Sequence, residues 1–239
     1  MSTYLLIHGA WFGQWCWHAV KPLLEQAGHT VITLDLPGHG DDLTPVPEIT
    51  MATLVARVGK ELTAQTEPVI LVGHSMGGMV ISQTAEAYPD RIERLVYAAA
   101  YLLQDGQSLF QVSTADADSQ IGPYLLPDPD KGLIGIRPEA LNEIFLHDAP
   151  AAMLVEAEAR LRPDLIGPQT TPVHLTAANY GRVPRTYITT LNDRVISPSL
   201  QKQMFTATSC DRVLEIETGH SPFAAKPEEF TQLLTALVE

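Results

Sequence analysis

Three observations predict an α/β architecture, in which a mostly parallel central sheet is covered by helices on both faces. Short apolar runs alternate with helix-like segments along most of the chain. One of these runs leads directly into a Gly-x-Ser-x-Gly turn with a further helix-like segment behind it. With 239 residues, 45% of them apolar, the chain can also bury a substantial core in one large domain.

The elements follow in order. Residues 4–8 read as the first strand, 17–26 as a helix and 30–34 as the second strand. A helix is expected over 51–65, a strand over 69–72, a helix over 76–88 and a strand over 95–99. Strands at 185–190 and 213–216 alternate with helices at 199–205 and 227–237. Pro227 suits a first helical turn, where its missing N–H costs nothing.

The interval 101–184 breaks the alternation, and a structureless loop of that length is improbable in a compact domain. Residues 138–147 and 149–161 look helical, the second segment carrying Met153, Leu154, Ala157 and Leu161 on one face. The expectation is a mainly helical cap insertion at 101–184 on a core made of 1–100 and 185–239, one structural domain overall. Most of its apolar stripe should pack on the body, with a few side chains lining a pocket.

Composition narrows the function classes. Acids outnumber Lys and Arg by 28 to 15, and the formal charge of −13 repels nucleic-acid phosphate and anionic lipid. No nucleic-acid partner and no membrane partner are expected. No apolar run approaches the roughly 18 residues of a membrane span, and no secretory pattern opens the sequence, so the expected location is cytoplasmic. The two cysteines, Cys16 and Cys210, are too few for a disulfide framework and read as ordinary buried thiols. No His-x-x-x-His or Cys-x-x-Cys occurs, so neither metal nor cofactor is implied. Gly38-His39-Gly40 lacks the lysine and helix start of a phosphate loop and reads as a plain loop.

The chemistry centres on Gly73-His74-Ser75-Met76-Gly77, which sits between a strand and a helix. A serine on so sharp a turn needs small flanking residues, which Gly73, Gly77 and Gly78 supply, and the following helix directs N–H groups and its positive end toward the hydroxyl. A serine hydroxyl needs a base. Among eight histidines, His220 follows the strand 213–216 and precedes the last helix, where this chain order places the base. His74 lies inside the turn, His8 and His39 lie in early loops, and the others lack a strand-end setting.

A carboxylate between Ser75 and His220 must hold the imidazole tautomer. Asp193, in Leu191-Asn-Asp-Arg-Val-Ile196 directly after the strand 185–190, fits best. Asp105 remains as a less common placement, whereas Asp211 precedes its strand and sits at the wrong edge. The oxyanion of an acyl-transfer reaction needs two donors, one after the serine and one from an early loop. These are the Met76 amide and the Ala10 amide in His8-Gly-Ala-Trp11, where Gly9 permits a tight turn and His8 reads as structural. Gly9, Trp11, Leu103, Met153, Leu154, Val195 and Ser221 make up the candidate substrate pocket.

Residues 6–17, 27–31, 72–79 and 185–188 with Asn192 and Asp193 resemble the methylesterase and hydroxynitrile lyase branch of α/β-hydrolases, which includes plant salicylate and jasmonate methyl esterases. The resemblance covers nearly the whole chain except the cap. It implies the α/β-hydrolase fold, Ser75, Asp193 and His220 as triad, and Ala10 and Met76 as oxyanion donors. Plant lyases of this branch carry a threonine where this chain has Gly9 and a lysine where it has Ser221. Departing cyanide needs a nearby cation, so neutral Ser221 disfavours cyanohydrin cleavage. The expected function is hydrolysis of a small, uncharged, partly hydrophobic carboxylic ester through an acyl-enzyme. Lactone, amide or carbamate hydrolysis are alternatives, and a small-molecule sensor is a more distant one. The resemblance also allows a homodimer, for which the residues show no seam.

Overall fold

In the computed structural model, which describes residues 1–238, one six-stranded parallel sheet organises the chain; Glu239, at the end of the expected core segment, lies outside the described residues. Its strands are β1 (Thr3–Ile7), β2 (Thr30–Thr33), β3 (Val69–His74) and β4 (Ile92–Ala98). After an excursion come β8 (Arg185–Thr190) and β9 (Arg212–Ile216), and the spatial order is β2-β1-β3-β4-β8-β9. All six positions of β3 are buried, as the unbroken apolar run of a strand covered on both faces requires.

Helices α1 (Val20–Gln26), α2 (Met51–Ala64) and α3 (Gly77–Ala87) connect the first four strands. Thr50 and Thr53 close a reciprocal capping box at the start of α2. The helix expected at 17–26 is divided: Gln14–Trp17 forms a 3₁₀ turn and α1 begins only at Val20. Pro22 accounts for this, because a proline has no N–H for an i−4 carbonyl and its ring clashes with that carbonyl, so it fits only the first turn.

The excursion carries α4 (Leu109–Thr114), β5 (Leu125–Asp128), β6 (Leu133–Ile136), α5 (Ala151–Arg160), β7 (Asp164–Leu165) and α6 (Ile166–Thr170). Besides helices it therefore holds a three-stranded antiparallel sheet of β5, β6 and β7, which the helical expectation omitted. The hairpin turns at Pro129–Gly132, where Gly132 adopts φ +69°, a conformation glycine reaches without a Cβ penalty. The helix expected at 138–147 contracts to one π-helical turn, Leu141–Phe145.

Helix α7 (Pro198–Ala207) starts with the Ser197 side chain accepting from the Leu200 N–H and with a proline at its first position. The chain finishes with α8 (Pro222–Ala225) and α9 (Pro227–Thr235). Both cysteines are free; Cys16 is buried, but Cys210, in the loop before β9, is only half-buried, against the expectation for that residue. Among the described residues no helix is long and apolar enough to cross a membrane.

The register gathers the functional loops. Ile7 of β1 pairs with Gly73 of β3, so the loops that follow leave the sheet side by side at the point where strand order reverses. Thr190 of β8 pairs with Ile216 of β9, and the Asn192 N–H donates to the Thr218 carbonyl at 2.9 Å, drawing the next two loops together at the same edge.

Candidate active site

Among the described residues, three non-glycine residues have positive φ: Trp11 (+64°), Ser75 (+52°) and Ala99 (+45°), just beyond β1, β3 and β4. Left-handed backbone costs a bulky L-residue about 1–2 kcal/mol, and its concentration at one sheet edge marks a place where geometry overrides comfort. Ser75 sits between His74, the last residue of β3, and α3. A Cβ on Gly73 would meet the Gly77 carbonyl oxygen at 2.7 Å, and one on Gly77 would meet the Ile7 carbonyl oxygen at 2.8 Å. The turn can therefore close only where those residues are glycines. The Ser75 carbonyl accepts from the Gly78 and Tyr101 N–H groups, which pins the turn to the start of α3 and to the chain leaving β4.

His220 and Asp193, both fully buried at their side chains, meet at 2.9 Å between Nδ1 and Oδ2. Asp193 Oδ2 also accepts from the Thr190 hydroxyl (2.9 Å) and Gln201 Nε2 (3.1 Å), and Oδ1 accepts from the Val195 and Ile196 N–H groups (2.8 and 3.0 Å). Since every neighbour donates, the carboxylate serves only as acceptor, and the proton of a neutral His220 belongs on Nδ1. Its Nε2 then carries the lone pair; it is buried and has no hydrogen-bond partner among the described residues. The alternative acid Asp105 is spent on the Leu175 N–H, and Asp211 caps the Arg185 N–H at the opposite edge of the sheet.

His74 lies beneath this pair, its ring centroid 4.6 Å from that of His220. Its Nε2–H donates to the His220 carbonyl oxygen at 2.9 Å, holding the backbone of the histidine loop. Burial, with the nearby His220 ring adding to it, pushes His74 well below the ordinary imidazole range, so it stays neutral. Phe145, from the π-helical turn, stands edge-on to both His220 (5.4 Å) and Trp11 (5.6 Å). Asp148 accepts the Gly219 N–H, fixing the residue before His220.

Ser75 opens into a cavity of about 220 Å³ that also touches Ala10, Met76, Trp11 and Val195. Its walls are mainly apolar, from Leu109, Phe110, Ile121, Leu125 and Ile134, with Asp116, Ser113 and Gln169 as polar points. Among the described residues no hydrogen bond uses the Ala10 or Met76 N–H. The expected pocket residues divide. Trp11 and Val195 line the cavity, whereas Gly9, Leu103, Met153, Leu154 and Ser221 do not.

Gly9 is packed against Ser75, where an added Cβ would lie 2.8 Å from the Ser75 Cβ. Leu103 is fully buried in the core. Met153 and Leu154 belong to α5, whose Glu156 pairs with His18 just after the 3₁₀ turn, and neither is among the residues that line the cavity. Ser221 is fully buried with no partner for its hydroxyl among the described residues. Tyr101, Leu109 and Ile121 were missed because an excursion of mixed structure gives no periodicity that says which residues face inward.

The model for the alpha/beta hydrolase family matches residues 4–233. The chain belongs to the α/β-hydrolases. This hydrolase is similar to a putative chloroplastic methylesterase 14 of Arabidopsis thaliana, 30% identical across the whole chain and 72% of that relative. It is also similar to methylesterase 9 of Arabidopsis thaliana, 27% identical over the whole chain and 99% of the relative. Among solved structures, a pyrethroid hydrolase from Sphingobium faniae JZ-2 superposes with a TM-score of 0.89 at 27% identity, covering 99% of this hydrolase and 96% of that chain. Polyneuridine aldehyde esterase superposes with a TM-score of 0.87 at 27% identity over the full length of both chains. The methylesterase relatives support an esterase function for this hydrolase.

Proposed function

We propose that the chain is a serine carboxylesterase that cleaves a small, uncharged, partly hydrophobic ester through an acyl-enzyme. The observation that carries this reading is the buried His220–Asp193 pair, whose unpaired Nε2 belongs to the loop edge where Ser75 opens into an apolar cavity. In the reaction, Ser75 Oγ attacks the ester carbonyl carbon while its proton passes to His220 Nε2. Asp193 stabilises the resulting imidazolium. The carbonyl oxygen, now an anion, is held by the Ala10 and Met76 N–H groups. Collapse of this adduct breaks the ester C–O bond, and His220 returns the proton to the departing alcohol. Water, deprotonated by His220, then attacks the acyl carbon and releases the acid and the Ser75 hydroxyl.

The cavity, smaller than the roughly 300–1,000 Å³ common for ligand pockets, favours a compact substrate. Asp116 on its wall and the net charge of −13 disfavour an anionic one. The methylesterase relatives make methyl esters the first natural class to try.

The test is release of nitrophenol from short-chain p-nitrophenyl esters by wild type and Ser75→Ala, with intact mass recorded during turnover. The expected result is release that the variant loses by at least about 10³-fold, with an acyl adduct on Ser75. Full activity in a folded Ser75→Ala variant would overturn the mechanism.

A further inference from the structure

The loop after β1 is held in an uncomfortable conformation by groups that the hydrolytic scheme leaves unused. Trp11 adopts φ +64°, and its N–H donates to Asp164 Oδ2 at 3.0 Å. Asp164 is fully buried and comes from β7, far along the chain in the excursion. The same Oδ2 lies 3.0 Å from His39 Nε2, while His39 Nδ1 lies 3.0 Å from the Pro37 carbonyl oxygen. With Asp164 ionised, as the Trp11 and Leu165 N–H groups that donate to it favour, neither the carboxylate nor the Pro37 carbonyl has a proton to give, so both nitrogens of His39 carry one and the ring is an imidazolium. Burial works against charge on His39, but the adjacent Asp164 outweighs it and holds the ring above its ordinary range. Burial likewise works against the Asp164 carboxylate, yet His39 and the donated hydrogen bonds keep it below the usual range.

The preceding peptide is clamped independently. His8 Nε2 accepts from the Leu36 N–H at 3.1 Å, so the proton of the neutral ring sits on Nδ1 and is donated to the Gly9 carbonyl oxygen at 2.8 Å. In a trans peptide the carbonyl oxygen and the next N–H point in opposite directions. Holding the Gly9 oxygen therefore aims the Ala10 N–H, and holding the Trp11 N–H fixes the plane on the other side of Ala10. Charged or titratable groups facing this cluster are His8, His39, Asp164 and Asp35, the last accepting from the Gln14 N–H.

We propose that Asp164, held as a carboxylate by protonated His39, is a positioning residue that locks the strained Trp11 backbone and so preorganises the Ala10 N–H for the developing oxyanion. This rests on the esterase reading above. It makes the excursion a working part of the oxyanion site, in addition to a wall of the cavity. An oxyanion donor that is already aimed needs no reorganisation as charge develops, which is where such a donor acts on rate.

The experiment compares wild type, Asp164→Asn and His39→Gln in hydrolysis of p-nitrophenyl acetate and in inhibition by a trifluoromethyl ketone, whose serine adduct carries an oxyanion. Asp164→Asn is expected to lose kcat by on the order of 10²-fold with KM within about threefold of wild type, and to lose ketone affinity in proportion. His39→Gln, which leaves the carboxylate on the Trp11 N–H but removes its counter-charge, should show a smaller loss of the same kind. Wild-type kcat in a folded Asp164→Asn variant overturns the proposal, as does a loss confined to KM. Nitrogen-15 spectra of the histidine rings in the wild type at neutral pH give a test that no folding defect can mask. Both His39 nitrogens should be protonated, and a neutral ring overturns the brace. An inactive wild type would instead count against the esterase reading, and the ring spectra would still decide whether the ion pair exists.

Discussion

Gln201 Nε2 lies 3.1 Å from Asp193 Oδ2, and the same amide nitrogen reaches the Ile196 carbonyl at 2.8 Å while Gln201 Oε1 accepts from the Thr190 N–H. The carboxylate is thus fixed by its own turn and by α7 before His220 touches it. Asp193→Asn would set an amide N–H₂ against one or more of these donors and favour the wrong His220 tautomer. The expected result is a kcat loss of about 10³- to 10⁴-fold with the fold retained, measured by ester hydrolysis and circular dichroism. Gln201→Leu should lose less activity but destabilise by about 1–3 kcal/mol, because buried Thr189 and Thr190 groups are left unpaired. Asp193→Asn with wild-type turnover would remove Asp193 from the mechanism.

Ser75→Gly separates strain from chemistry. Ser75 holds φ +52°, which glycine adopts without a Cβ clash. The glycine variant should therefore be inactive yet more stable, by about 1 kcal/mol, or a rise of roughly 2–4 °C in Tm for a chain of this size. Ser75→Ala keeps the strain and should melt close to wild type. A glycine variant that melts below the alanine variant would show that the turn is not strained.

The sheet was legible because parallel strands buried on both faces leave unbroken apolar runs, and Val69–Val72 is such a run. Ser75, His220 and Asp193 stood out as candidates because the acyl-transfer chemistry proposed for them requires particular residue types in a particular order at strand ends. The excursion was less legible. Asp128-Pro-Asp-Lys-Gly132 is a cluster of turn formers that signals a hairpin, but the flanking strands are four residues each and only partly buried, too short for alternation to show. The His39–Asp164 pair could not be read at all, since it joins residues more than a hundred positions apart and neither sits in a motif.

Gly9 tests how tightly the early loop is packed on the serine. An added Cβ would lie 2.8 Å from the Ser75 Cβ and 3.0 Å from His74 Nδ1, closer than carbon atoms approach without displacement. Gly9→Ala should cost about 1–3 kcal/mol in stability from overpacking, and on the order of 10²-fold in kcat if the serine moves by about an ångström. Gly167→Ala, whose new Cβ meets nothing within 4 Å beyond its own helix and chain neighbours, serves as the control: turnover should be unchanged, and stability equal or raised by up to about 1 kcal/mol because alanine is the better helix former. Unaltered turnover in Gly9→Ala would mean that the loop yields without moving Ser75.

Stability should peak near neutral pH, because four buried groups shift in directions that coincide only there. Burial, reinforced by the charge on His39, holds His8 down to about 4, and burial holds His74 well below its usual range. Unfolded, both rings titrate near 6.5, so the unfolded chain binds more protons as pH falls from about 6.5 to 4, and stability declines over that interval. The raised His39 acts on the other side. Its contribution is complete below about 6.5 and is lost as pH rises through its folded value. The lowered Asp164 contributes above about 4 and loses that contribution only in stronger acid. A series of thermal melts from pH 4 to 9 at constant ionic strength should therefore show Tm rising up to about pH 6.5 and falling at higher pH, once pH passes through the raised folded value of His39. A Tm that stays flat or declines between pH 4 and 6.5 would mean that His8 and His74 are not held neutral in the folded chain.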